Sequence, residues 1–160
     1  MADPNGVLII ADLADGKLAS VTAELATIGA QIAKSLGQDL TVIVAADKVA
    51  APAGEASHLG VSKVYTVENP LLGGFHIEAH LVALAAAVKQ INPRVILVAR
   101  SATGRDLGPR LAFRLGVGIA QDTVELSWNA GSNALVATRP VYGGASMAKA
   151  TSLPPVERMS

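Results

Sequence analysis

The densest run of functional side chains is Arg100–Ser101–Ala102–Thr103–Gly104–Arg105–Asp106–Leu107–Gly108–Pro109–Arg110. Two hydroxyls (Ser101, Thr103), a glycine at 104 that permits close backbone approach, and the cations Arg105 and Arg110 suit an anion held at a helix start. The same residues also make a capped helix, with Ser101 or Thr103 as the cap, Asp106 favouring the first-turn dipole and the arginines in water. Asp12 closes the apolar run Val7–Leu8–Ile9–Ile10–Ala11. A carboxylate there is placed to meet a ligand's hydroxyl or amine, or to act as a turn acceptor. A second run, Arg139–Pro140–Val141–Tyr142–Gly143–Gly144, sets a polar-tipped ring beside paired glycines. It suits close approach by another backbone, or a plain hairpin corner.

Other chemistries find little support. His76 and His80 lie four apart and could share a helix face, but Glu78 projects about 200° away on a 3.6-residue turn and no third metal ligand is suggested. His58 is alone. The chain has no G-x-x-x-x-G-K-[ST] phosphate loop and no G-x-S-x-G elbow. Gly116–Val117–Gly118–Ile119–Ala120–Gln121 starts like a dinucleotide fingerprint, but Gln121 stands where the third glycine belongs and the run closes a helix instead of opening one. With no cysteine, disulfides, thiolate metal sites and a cysteine nucleophile are excluded. Nothing nominates a general base with a partner, so catalysis has no positive case.

The elements that must position these residues are legible from periodicity. Val7–Ala11, Leu40–Ala45 and Val95–Val98 are continuous apolar runs, the pattern of strands buried on both faces, and Val64–Val67 is a fourth strand. Val21, Leu25, Ile28, Ile32 and Leu36 form a helical stripe ended by Gly37, and Ile77, Leu81, Leu84, Val88 and Ile91 form another, stopped by Asn92–Pro93. A short helix from Pro52 to about Leu59 and a last one carrying Leu107, Leu111 and Leu115 complete a βαβαβαβα order. That order predicts a three-layer, Rossmann-like α/β domain over residues 1–160, with a mostly parallel sheet. Beyond Gly118, Thr123–Trp128 and Leu135–Arg139 alternate around a turn-rich break, predicting a C-terminal antiparallel hairpin; Gly143–Gly144 and Pro154–Pro155 punctuate the rest.

Composition narrows the function classes. The chain has 160 residues, is 51% hydrophobic and 16% charged, and carries 13 basic against 13 acidic side chains. Disorder is excluded by the high aliphatic content. Zero net charge and few aromatic rings argue against nucleic-acid binding, and no segment reads as a membrane span or leader, making the cytoplasm the default. The charge is uneven: residues 1–80 hold 4 basic and 9 acidic groups, residues 81–160 hold 9 and 4. The two halves either complement each other or leave the later one cationic towards a partner.

Three stretches in this order resemble the amino-terminal domain of electron transfer flavoprotein α subunits: Val7–Ala11; Ser101–Ala112 with Leu115–Gly116–Val117–Gly118 and Asp122; and Arg139–Gly144. The resemblance implies a flavodoxin- or nucleotide-hydrolase-like domain that acts as scaffold and contact for a β subunit. The heterodimer of that family carries FAD and shuttles electrons from dehydrogenases towards a membrane quinone reductase. The family's carboxy-terminal half, which holds most of the FAD site, has no counterpart here, so the chain alone is expected to bind FAD poorly or not at all. Ala145–Ser146 stands where the family usually has Asn-Ala. The alternative is a stand-alone nucleotide-binding, stress-type domain holding AMP or ATP. For it, Asp12 would contact adenosine, and Gly104, Gly108 and Gly118 loosely echo the glycine spacing.

Overall fold

The computed structural model describes residues 3–152. In chain order it has β1 (Val7–Ile10), a short ribbon of β2 (Leu13–Ala14) and β3 (Lys17–Leu18), α1 (Ser20–Leu36), β4 (Leu40–Ala46), α2 (Ala50–Ser57) and β5 (Lys63–Glu68). Then follow α3 (Ile77–Ile91), β6 (Val95–Val98), α4 (Ala102–Leu115), β7 (Glu125–Asn129), β8 (Ala134–Val141) and β9 (Ser146–Thr151). The three apolar runs and the fourth strand, β5, pair in parallel in the order β5-β4-β1-β6, with Ile9 beside both Val42 and Leu97. The chain steps outward from β1 to β5 and then recrosses to β6 on the other side of β1. Strand order therefore reverses between β1 and β6, the place where open α/β sheets bind ligands.

Alternation along the strands builds two cores. Val7, Ile9, Val42 and Val44 face Ala26, Ile32 and Ala33 of α1 and Ala56 of α2. Leu8, Ile10 and Ile43 face Leu81, Leu84 and Val88 of α3 and Leu107 and Leu111 of α4. Helices on both sides are what let β1 be apolar at every position and β4 at all but Thr41. The layering is the α/β sandwich expected from the element order.

Three details differ from the sequence reading. On α1 the expected stripe is only partly the buried one: Val21, Leu25, Ile28 and Leu36 are half-buried, and the line against the sheet is Thr22, Ala26, Gly29, Ile32 and Ala33. Small residues let the helix close on the strands and push its larger side chains to the flanks; a Cβ on Gly29 would come within 2.8 Å of Leu40 Cδ1. α4 starts at Ala102 behind Ser101, one of the two caps the sequence offers, but Asp106 lies beyond its first turn and Pro109 is inside it. Finally, the C-terminal hairpin is a three-stranded antiparallel sheet, β7-β8-β9. Its Leu126, Trp128 and Leu135 pack onto the α1 side of the core, and the Arg94 guanidinium lies 4.9 Å from the Trp128 ring centroid. Pro154–Pro155 lies outside the described residues.

Candidate functional site

At the reversal point the outgoing ends of β1 and β6 open a cavity of about 370 Å³. Its floor is apolar (Ile10, Leu84, Val98), Phe75 forms part of the wall, and Asp12, Asp15, Asp47 and His80 supply polar groups. A short polar chain crosses one side. Thr103 Oγ1 donates to Asp12 Oδ1 at 2.9 Å, Ser101 Oγ lies 2.9 Å from Thr103 Oγ1, and the Gly104 N–H donates to Ser101 Oγ at 3.0 Å. Ser101 is thus the N-cap of α4, satisfying a donor that the helix itself leaves free.

Asp12 is held from behind by Thr22, which is fully buried. Thr22 Oγ1 accepts the Asp12 N–H at 3.0 Å and donates to the Asp12 carbonyl at 3.2 Å. The start of α4 is pressed against β6: a Cβ on Gly104 would overlap the Ala99 carbonyl oxygen. The backbone that Gly104 lets approach is therefore the protein's own strand. Removing the cap hydroxyl with Ser101→Ala is expected to cost about 1 kcal/mol, with Ser101→Thr retaining most of it, as read from urea unfolding midpoints.

The structure brings together Asp12, Ser101, Thr103 and Gly104 from positions 91 residues apart in sequence. It does not bring the arginines with them. Arg105 is exposed on α4, and Arg110 Nη1 pairs with Glu78 Oε1 at 3.3 Å on the surface, a contact that contributes little in water. Neither lines the cavity, whose charged lining residues are carboxylates. The anion expected beside this loop would meet repulsion instead of cations. Arg139, Tyr142, Gly143 and Gly144 lie on the separate antiparallel sheet, where Tyr142 is exposed at a turn with three successive left-handed residues, φ 52°, 65° and 92°. His76 precedes α3, and its carbonyl lies 3.0 Å from Nδ1 of His80. Among the described residues no group of three or more His, Asp or Glu could hold a metal ion.

Sequence reasoning did not single out Thr22, Asp47 or Phe75. Thr22 alone left a signal, a hydroxyl in register with Ala26, Gly29 and Ala33 on a helix face otherwise free of polar groups.

The sequence profile of the electron transfer flavoprotein domain matches residues 7–157, which hold every strand and helix described above. The chain belongs to the electron transfer flavoprotein family. It is 32% identical over 143 residues to the electron transfer flavoprotein subunit alpha of Clostridium acetobutylicum, which takes in 89% of this chain and 43% of the relative. Against the subunit alpha of Bacillus subtilis it is 31% identical over 150 residues, 94% of this chain and 45% of the relative. It is also 30% identical over 144 residues, 90% of the chain and 34% of the relative, to the lactate dehydrogenase (NAD(+),ferredoxin) subunit LctC of Acetobacterium woodii. This chain of the flavoprotein family thus spans less than half the length of these relatives. Among its described residues no helix is long and apolar enough to cross a membrane.

Proposed function

We propose that residues 1–160 form one α/β domain, the amino-terminal part of an electron transfer flavoprotein α subunit, acting in the cytoplasm as scaffold and β-subunit contact. The heterodimer carries FAD and passes electrons from dehydrogenases to a quinone reductase, and this domain contributes no catalytic residue of its own. The observation that carries this reading is the match to α subunits over 89% and 94% of this chain.

The cavity chemistry agrees with a domain that supports the cofactor from outside. FAD needs cations or free N–H groups for a diphosphate and a long apolar slot for its three-ring flavin. The cavity offers carboxylates at Asp12, Asp15 and Asp47, one phenyl ring, and no lysine or arginine. These residues do not fit FAD, and the same carboxylates disfavour the phosphates of AMP or ATP.

The test is the absorbance spectrum of the full gene product co-expressed with the β subunit from the same organism. A yellow heterodimer with a flavin band, and a colourless 160-residue chain on its own, is the expected result. A full product that stays without flavin and instead carries AMP or ATP would overturn the proposal.

A further inference from the structure

The cavity at the outgoing ends of β1 and β6 has a one-sided polar lining. Its polar side chains are Asp12, Asp15, Asp47, His80, Ser101 and Thr103. The hydroxyl protons are already engaged. Thr103 gives its proton to Asp12 Oδ1, so the 2.9 Å contact between the two hydroxyls is made by the Ser101 proton, and Ser101 Oγ accepts the Gly104 N–H. His80 points the same way. The partner of its Nδ1 is a carbonyl, the His76 oxygen at 3.0 Å, so Nδ1 carries the proton and the neutral ring keeps Nε2 as an acceptor. The three ionised carboxylates only accept, and none has an ion-pair partner among the described residues. Every polar side chain lining the cavity thus has a lone pair to offer, and none has a free proton to give.

We propose that this cavity binds a small primary amine, its ammonium group donating to the Asp12 carboxylate, with Asp47 adding charge and the apolar floor carrying its hydrocarbon body. An ammonium group has three donors and no acceptor, the complement of such a lining. An alcohol brings one proton and no charge, and an anion meets three carboxylates. The rest of the cavity suits the body of such a molecule. Ile10, Leu84 and Val98 make an apolar floor, and the Phe75 ring in the wall offers a cation its face. A volume of about 370 Å³ falls at the small end of the roughly 300–1,000 Å³ of small-molecule sites, and the strand reversal is where such sites form. The assignment goes beyond the flavoprotein reading and does not depend on it.

The experiment is calorimetric titration of the full gene product with 2-phenylethylamine and hexylamine, and with 2-phenylethanol and phenylacetate as the matched alcohol and acid. Asp12→Asn and Asp47→Asn remove one charge each, and asparagine at 12 keeps an oxygen for Thr103, so the tie to α4 survives. Asp106→Asn, exposed on α4 and outside the cavity, is the control. Thermal unfolding confirms that each variant is folded. The amines are expected to bind with a Kd of about 1 mM or tighter, each cavity variant to weaken them about tenfold, and Asp106→Asn to leave them unchanged. The alcohol is expected to bind at least about tenfold more weakly than the matched amine, and the acid not at all. No binding of either amine up to about 10 mM would overturn the proposal, as would unchanged affinity in both cavity variants. Phenylacetate binding as tightly as 2-phenylethylamine would also overturn it, by showing that free N–H groups at the start of α4 govern the cavity. None of these outcomes bears on the flavin spectrum, so the proposed function stands or falls separately.

Discussion

Replacing Gly104 by alanine is expected to cost at least about 3 kcal/mol, a large share of the roughly 5–15 kcal/mol that holds a domain folded. The added methyl has no space, since its ideal position overlaps the carbonyl oxygen of Ala99, with the Ala99 carbonyl carbon 3.1 Å and Val98 Cγ1 3.3 Å away. A side-chain tip could rotate aside. This obstacle is backbone at the outgoing end of β6, so either the strand end or the start of α4 must move. Moving α4 strains the Ser101 cap and the Thr103–Asp12 hydrogen bond that ties α4 to the end of β1. The gain in helix propensity, about 1 kcal/mol, is too small to offset these losses. Gly108→Ala is the matched control in the same helix. Its methyl would touch only Ile119 Cδ1, at 3.4 Å, and its stability is expected within about 1 kcal/mol of the unaltered protein, on either side. Urea unfolding of both variants checks the contrast; equal midpoints would show that α4 is free to shift away from β6.

The same contact explains why the start of α4 was hard to read. Gly104, Gly108 and Pro109 all disfavour helix by local preference, so the sequence leaves the cap open between Ser101 and Thr103. Yet Gly104 is there because the helix lies too close to a strand for any side chain, and Ser101 supplies the cap that starts the helix two residues earlier. Packing overrode propensity. The α1 stripe misled for a related reason: Val21, Leu25 and Ile28 are the larger side chains, but closeness to the sheet selected the small line Thr22, Ala26 and Gly29 for burial. Where burial on both faces leaves nothing to choose, as in Val7–Ile10 and Leu40–Ala46, the apolar run alone was sufficient. The third antiparallel strand, Ser146–Thr151, has no Val, Ile, Leu or aromatic residue to mark it, and it pairs through its backbone with β8.

The site was legible by half for the same physical reason. The rule that ligands gather at the outgoing ends of parallel strands brought Asp12, Ser101 and Thr103 to one crevice. No rule of sequence order could tell that Arg110 would turn to Glu78 on α3, or that Asp47, at the end of β4, would make the cavity acidic. Those facts depend on how the helices rotate about their axes once packed.

Thr22 carries the second large effect expected, because it joins the core to the crevice. Thr22→Val keeps the shape of the side chain and removes only its hydroxyl, so no cavity confuses the result. The Asp12 carbonyl retains the Ala19 N–H at 2.9 Å, but the Asp12 N–H loses Thr22 Oγ1, its hydrogen-bond acceptor at 3.0 Å. A buried donor left without an acceptor costs about 2 kcal/mol. Thr22→Ser retains the hydroxyl and gives up one methyl, for about 0.8 kcal/mol. Valine is therefore expected to be the more damaging of the two despite being the better-packed, and that inversion is the diagnostic. Hydrogen exchange supplies an independent readout: the Asp12 amide should be protected in the unaltered protein and in Thr22→Ser, and exchange faster in Thr22→Val. If Thr22→Val is as stable as Thr22→Ser, water from the adjoining cavity has taken over the Asp12 N–H, and the crevice is wetter than its apolar floor implies.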